Sequence, residues 1–366
     1  MHIGKSKSDI LCKDLHVGGW KEDILTDPET GKCSKSDYCD GYEKMKVMTE
    51  QTYLGDLISM DGSHAKNVQQ RTQKGLGVMN QIMQILESTF FGKYHFEVAM
   101  VLRESLFLSS LLLNSEAWVN YTDKDVRKLD QCYEILLSRI LECDANTSNA
   151  LKYFELGILP IRFSIMQRKI LFLQYLLKEE KQSMIYQILK ATNENPVKND
   201  FVSTCRKYLK LLDIQLSFEE FENMSKYTLK KILKEKTILA AYKYLTGQKE
   251  RQTKICDIKY TKLEMQQYLA DGDRNIRLTK LIFKARGRNL NIKMQKRWNY
   301  DDTLCSGCKV KEETGEEIFK CSSFGENSEN VTYSWFYKDS VKDQISAAKV
   351  LMKKLKTRDR IREEVT

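Results

Sequence analysis

With 366 residues, 42% of them hydrophobic, the chain is long and apolar enough to bury a sizeable core, which excludes wholesale disorder. Only 3 prolines and 17 glycines exclude a protein made of many short strands and turns, and favour long helices. The 60 Lys and Arg exceed the 50 Asp and Glu by 10, a mild bias toward a polyanionic partner.

The start, MHIGKSKSDI, lacks the apolar centre of a signal peptide, and the most apolar run, SLFLSSLLLN, is far short of the roughly 20 residues that cross a bilayer. No membrane partner is expected. Ten cysteines, mostly scattered singly, read as reduced thiols of an intracellular protein, nuclear or cytoplasmic.

Residues 1–62 differ in character from the rest of the chain. MHIGKSK suggests a short strand, residues 21–48 a polar loop rich in turn formers, and TYLGDLIS a strand closed by the Asp-Gly of MDGS. This is too little strand to build a sheet alone. From Ser63, a plausible N-cap, Val68, Leu76, Met79, Ile82, Met83 and Leu86 recur at helical spacing. The other face carries Lys66, Asn67, Gln70, Arg71 and Lys74, either a phosphate-contacting surface or an ordinary solvated one. A helix over 93–118 is apolar nearly all round, and Thr122 with Asp125 predicts a capping box for the next. Gly157 and Pro160 separate two further helices, and amphipathic helices are predicted over about 182–192, 199–213, 218–234 and 236–247. Residues 274–298 hold nine cations and no acid: Arg274, Arg277, Lys280, Lys284, Arg286, Arg288, Lys293, Lys296 and Arg297. Interleaved apolar residues make this a cationic helical face suited to a nucleic-acid backbone, with acidic lipid or protein as the competing partners. The last segment predicts one charged helix capping the surface.

Little points to catalysis. The four histidines, His2, His16, His64 and His95, have no recognisable nucleophile beside them, and no phosphate-binding glycine loop is present. The paired Asp301 and Asp302 of NYDDT follow a basic segment and lead straight into Cys305, so they read as a loop. CSGCKVKEETGEEIFKC places Cys305, Cys308 and Cys321 as three corners of a metal site with no histidine nearby.

Taken in order, MHIGKSK, TYLGDLISMDGS, RTQKGLGVMNQI, LRESLFLSSLLLNSEAW, ELGILPIRFSIMQRK and LIFKARGRNLNIKMQKRW, followed by the Cys-x-x-Cys cluster, resemble the C-terminal part of reverse transcriptases of non-long-terminal-repeat (LINE-type) retrotransposons. The resemblance covers nearly the whole chain. It implies a mainly α protein with a short N-terminal β-hairpin remnant of a polymerase palm, then thumb-like and C-terminal helical bundles. The segments would be palm-end strands (1–62), thumb helices (63–145), a helical region ending in the basic segment (146–298), a zinc-knuckle-like cluster (299–330) and a terminal charged helix (331–366). Tyr53, Leu54 and Gly55 would belong to the primer-gripping strand pair. Lys66, Arg71, Lys74, Arg277, Lys284, Arg286, Arg288, Lys293, Lys296 and Arg297 would contact RNA, DNA or an RNA–DNA duplex.

The family's catalytic aspartates lie upstream of the matched segments, so the resemblance implies no Mg2+ site and no polymerase activity in this chain, unless the upstream polymerase portion is supplied as a partner. A helical protein-interaction scaffold without a nucleic-acid role is the alternative. In the family a histidine stands where this chain has Glu317. Zinc held by Cys305, Cys308, Cys321 and Glu317, and a decayed cluster without metal, are both open.

Overall fold

The computed structural model describes residues 9–11, 46–48, 50–53, 55–59 and 62–364, except positions 120, 198–199, 253–254, 256–257, 272–274, 294, 296–301 and 327–330. The strand expected in MHIGKSK and all but the end of the 21–48 loop lie outside the described residues. The described residues are mainly helical, as the sparse prolines and glycines predict. Strand is confined to two pairs: β1 (Asp9–Leu11) runs parallel to β2 (Lys46–Met48), and β3 (Glu50–Tyr53) pairs antiparallel with β4 (Asp56–Ser59). The strand expected across TYLGDLIS is therefore folded back on itself. Tyr53 pairs with Asp56, and Gly55 makes the tight turn at φ +83°, a conformation that glycine adopts without strain.

Helix α1 (Ala65–Ser88) comes next, with His64 rather than Ser63 at its N-cap position. His64 Nε2 instead accepts a hydrogen bond from the Val119 amide at 3.1 Å. Val68, Met79, Ile82 and Leu86 form the buried stripe, and Leu76 lies outside it. The predicted 93–118 helix is α2 (His95–Leu102), continued by a π-helical turn at Arg103–Leu108 and ended at Leu111. Its inner side gives Phe107 and Leu111 to the core, while Val101 and Leu106 are exposed. Helix α3 (Asp123–Leu141) packs along α1, and its Thr122–Asp125 capping box is present in full. Gly75 sits at this crossing, where an added Cβ would stand 3.2 Å from both Cys132 and Leu111.

Helix α4 (Asn149–Leu156) is buried on almost every side. It ends at Gly157, φ +64°, where a Cβ would lie 2.1 Å from the Met265 amide nitrogen. Helices α5 (Ile161–Leu177), α6 (Met184–Glu194), α7 (Phe201–Leu211), α8 (Phe218–Asn223) and α9 (Lys226–Glu250) complete the middle of the chain. The expected boundary between 234 and 236 is absent. The break falls at Met224, because Ser225 caps a new helix by accepting from the Thr228 amide.

The last lobe holds α10 (Gln267–Ala270), α11 (Ile276–Arg286), α12 (Gly315–Lys320) and α13 (Val341–Glu363). Helix α13 is a structural staple rather than a surface cap. It buries Ala347, Ala348 and Leu351 and lies along α11. Buried residues from all the helical segments belong to one hydrophobic cluster. Among the described residues, no helix is long and apolar enough to cross a membrane.

One half-buried pair makes the fold's stability depend on pH. Asp130 and Glu134, one turn apart on α3, have pKa values raised to about 6 and about 7. Burial is the main cause for both; Arg162 opposes it at Asp130, while at Glu134 Asp130 adds to it and Lys152 opposes. The folded values exceed the ordinary ones, so this contribution is full below about pH 4 and is lost as pH rises through 6 to 7. His95, lowered to about 4 chiefly by burial, acts oppositely below its ordinary value. The double variant D130N/E134Q separates the terms: it is expected to raise Tm at pH 7.5 and much less at pH 5. An equal gain at both pH values in a calorimetric series would remove the carboxylates as the cause.

Candidate nucleic-acid interface and metal centre

The cations expected to meet phosphate divide into two groups. Arg71 is 2% exposed: its guanidinium donates to the Gly55 carbonyl at 2.5 Å and to Asp56 at 3.2 Å. Asn67, one turn earlier, donates to Asp56 at 2.5 Å and accepts from the Leu57 amide at 3.3 Å. Together they clamp the β3–β4 turn, whose carbonyl would otherwise lack a donor. Both face inward, contrary to their expected place on the outer face. Of the expected primer-gripping residues, Gly55 supplies the carbonyl that Arg71 holds; Leu54 lies outside the described residues, as does the Tyr53 side chain.

In the basic segment, Arg286 is likewise structural. It donates to Glu155 at 2.9 Å and to the Phe336 carbonyl at 2.8 Å, and the Arg286 and Glu155 side chains are 6% and 0% exposed. The Tyr260 hydroxyl shares the same Glu155 oxygen at 2.5 Å. Burial alone would lower the Arg286 pKa, but Glu155 and the neighbouring tyrosines outweigh it and hold it above the usual range. Lys293 is buried and pairs with Asp302 at 2.8 Å, and Lys280 is buried against Glu142. Lys280 and Arg286 are drawn inward because α11 runs under α13, and Lys293 follows beyond the end of α11. Arg277 and Arg288 are exposed and Lys284 is half-buried. Arg274, Lys296 and Arg297 lie outside the described residues. Arg277 and Lys284 border a small cleft between α11 and α13 to which Lys356 contributes a further cation.

On α1 the outward surface keeps Lys66 and Lys74 exposed. It also presents Gln69, Gln73, Gly77, Asn80 and Gln84, a polar face repeating every three or four residues. The helix contains no acid before Glu87. Amides can contact sugar and phosphate oxygens without sequence preference, and lysines neutralise phosphate charge. Gly77 has nothing within 4 Å of where a Cβ would be, so this face can be approached to the backbone. The hydrophobic periodicity of α1 is legible in the sequence, whereas its amide-rich complement is a signal that a count of charges passes over.

The cysteine cluster does assemble. The Sγ atoms of Cys305, Cys308 and Cys321 lie within 4.8 Å of one another, and these three could hold a metal ion. Cys305 and Cys321 are 3.8 Å apart. A tetrahedral ion with metal–sulfur bonds of about 2.3 Å sets ligand edges of about 3.8 Å, so this pair already has the required spacing. Burial pushes the Cys305 thiol up to about 12, against the Cys308 and Gly307 amides that point at its sulfur. The Lys311 and Val310 amides hold the Cys308 thiol below its ordinary value. The amides therefore favour the thiolate, the ligating form, at Cys308, while at Cys305 burial outweighs them. The turn is shaped by Lys309 at φ +55° and by Gly307, whose Cβ would stand 2.7 Å from Ser323.

Glu317 is less well placed than the three sulfurs. One carboxylate oxygen lies 4.0 Å from Cys308 Sγ, the other pairs with Lys311 at 3.8 Å, and Glu317 is outside the mutually close group.

A residue absent from the expected site organises this lobe. Glu313, 0% exposed, accepts from the Ser306 amide at 3.1 Å, the Ser306 hydroxyl at 2.6 Å and the Lys293 amide at 3.1 Å. Arg358 at 3.5 Å and Arg362, both from α13, complete its shell. Burial works to raise its pKa, but these partners prevail and lower it. The carboxylate therefore joins the basic segment, the cysteine turn and the last helix. Only its burial reveals this, since EETGEE reads as solvated charge.

No protein-family model, curated protein or solved structure matches the chain.

Proposed function

We propose that this chain binds the backbone of RNA, DNA or an RNA–DNA duplex without sequence preference, as the thumb and C-terminal region of a non-LTR retrotransposon reverse transcriptase that lacks its own nucleotidyl-transfer centre. The observation that supports it best is the outer face of α1, where Lys66 and Lys74 flank an amide-rich surface with no carboxylate until its far end. Arg277, Lys284 and Arg288 would extend the contact, and zinc on Cys305, Cys308 and Cys321 would stiffen the lobe that carries them. When bound, zinc would supply a structural cross-link through the three sulfurs; the Glu313 shell holds the turn in register. An intracellular site of action, nucleus or cytoplasm, fits six described cysteines that are all free thiols.

The test is fluorescence anisotropy with a labelled RNA–DNA duplex across a salt series. The charge reversal K66E/K74E is expected to weaken binding about ten-fold or more and to lower the salt slope by about 2. Gly77→Ala separates function from stability: it should stabilise the helix by about 0.5–1 kcal/mol and yet weaken duplex binding. Affinity indifferent to salt and to all three substitutions would exclude the proposal. Primer extension by the purified chain with Mg2+ would overturn its non-catalytic half.

A further inference from the structure

A second basic surface is built from α9, α5 and the π-helical turn of α2. The first half of α9, KYTLKKILKEK, carries five lysines against one glutamate. Two of them, Lys230 and Lys234, stand one turn apart beside a groove of about 520 Å³ between α9, α5 and the π-helical turn of α2. Both are exposed and make no ion pair among the described residues. Across the groove stand Arg103 and Arg168, each held in place. Arg103 donates to the Tyr133 hydroxyl at 2.5 Å and pairs with Glu104 at 2.8 Å. Arg168 donates to the Leu112 carbonyl at 3.0 Å and lies 3.9 Å from Glu116. Four cations thus line the groove, with Glu104 its one lining carboxylate.

The floor decides among polyanions. Half of the groove's lining residues are aliphatic, with Leu171 and Ile238 only half-buried, and none is aromatic. Single-stranded nucleic acid gains its affinity for open grooves from bases stacked on aromatic rings, which are absent here. A duplex backbone is polar and would leave the aliphatic floor unsatisfied. An amphipathic helix bearing leucines on one side and carboxylates flanking them satisfies floor and rim together. The volume suits a few anchoring side chains. The π-turn supplies one wall, and such turns are often found at functional positions.

We propose that this groove is a docking site for an acidic amphipathic helix of a partner protein, its apolar side chains on Leu159, Leu171 and Ile238 and its carboxylates on Lys230, Lys234, Arg103 and Arg168. The probe is a fluorescein-labelled synthetic peptide with leucine at heptad a and d positions and glutamate at the flanking ones, titrated with the full chain by anisotropy. Binding is expected to weaken with salt, to fall about ten-fold in K230E/K234E, and to be unaffected by Lys190→Glu on the exposed side of α6. A peptide with its leucines replaced by alanine should bind at least about ten-fold more weakly. The lysines are exposed, so the variants keep the fold. Equal binding of a composition-matched scrambled peptide, or wild-type affinity in K230E/K234E, would overturn the proposal. So would tighter, Lys230/Lys234-dependent binding of single-stranded RNA or of anionic phospholipid vesicles.

Discussion

Replacing Arg286 with alanine is expected to destabilise the fold by about 3–5 kcal/mol, because it leaves the Glu155 carboxylate buried without its cation. Glu155 is fully buried, and after loss of Arg286 its remaining side-chain partner at the shared oxygen is the Tyr260 hydroxyl. The arginine also satisfies the Phe336 carbonyl, so the loss spreads from α4 through α11 to the segment before α13. Removing both charges together should recover most of the stability: R286M/E155Q keeps volume and a hydrogen-bonding group for Tyr260 without an isolated charge. Urea unfolding of the three proteins measures this. The same double variant separates structure from binding. If Arg286 only holds the lobe together, folded R286M/E155Q binds duplex as the wild type does, whereas a stable Arg286→Ala protein with lost binding would return the residue to the interface.

Arg286 also shows where the sequence stops being informative. Helix existence came from period and punctuation: the Thr122 box, the Gly157 and Pro160 break and the stripe from Val68 to Leu86 all depend on neighbours within a turn. A basic run is different. In KLIFKARGRN, Arg286 and Arg288 stand two residues apart, yet one is buried on a carboxylate 131 positions earlier and the other is exposed. Local pattern cannot rank them, because burial is decided by the element that packs over α11. Arg71 fails for the same reason: its partner is the carbonyl of a turn hidden inside TYLGDLIS by the alternation of its side chains. The cysteine spacing, by contrast, brought its three residues together, since Cys-x-x-Cys closes locally and the third thiol arrives on a short helix. Glu317 carried only position, and position put one carboxylate oxygen 4.0 Å from Cys308 Sγ and the other beside Lys311, outside the group that the three sulfurs form.

In the C-terminal lobe the largest effect is expected from zinc. Protein purified under reducing conditions is expected to carry one zinc per chain, and Cys305→Ser to abolish its binding. Structural zinc in small peptide sites contributes about 10–16 kcal/mol of apparent binding energy, which there is the folding energy. Here part of the organisation is already supplied by Ile318 and Phe324 in the core and by the Glu313 shell. Chelation with reductant present should therefore melt the 302–326 turn while leaving α1 to α9 folded, a biphasic transition in place of a single one. Glu313→Gln tests the second anchor, because it removes the charge that Arg358 and Arg362 share. Acid should act similarly: the folded Glu313 pKa is lowered, so its contribution is full above the ordinary value of about 4.5 and is lost as pH falls through the folded one. Zinc affinity is expected to change little in Glu317→Ala, whose carboxylate lies outside the three-sulfur group, and to rise in Glu317→His, which would add an imidazole to the three thiolates. Zinc stoichiometry near zero in the reduced wild-type protein, with an unchanged thermal transition on chelation, would instead make the three thiols a relic held together by packing alone.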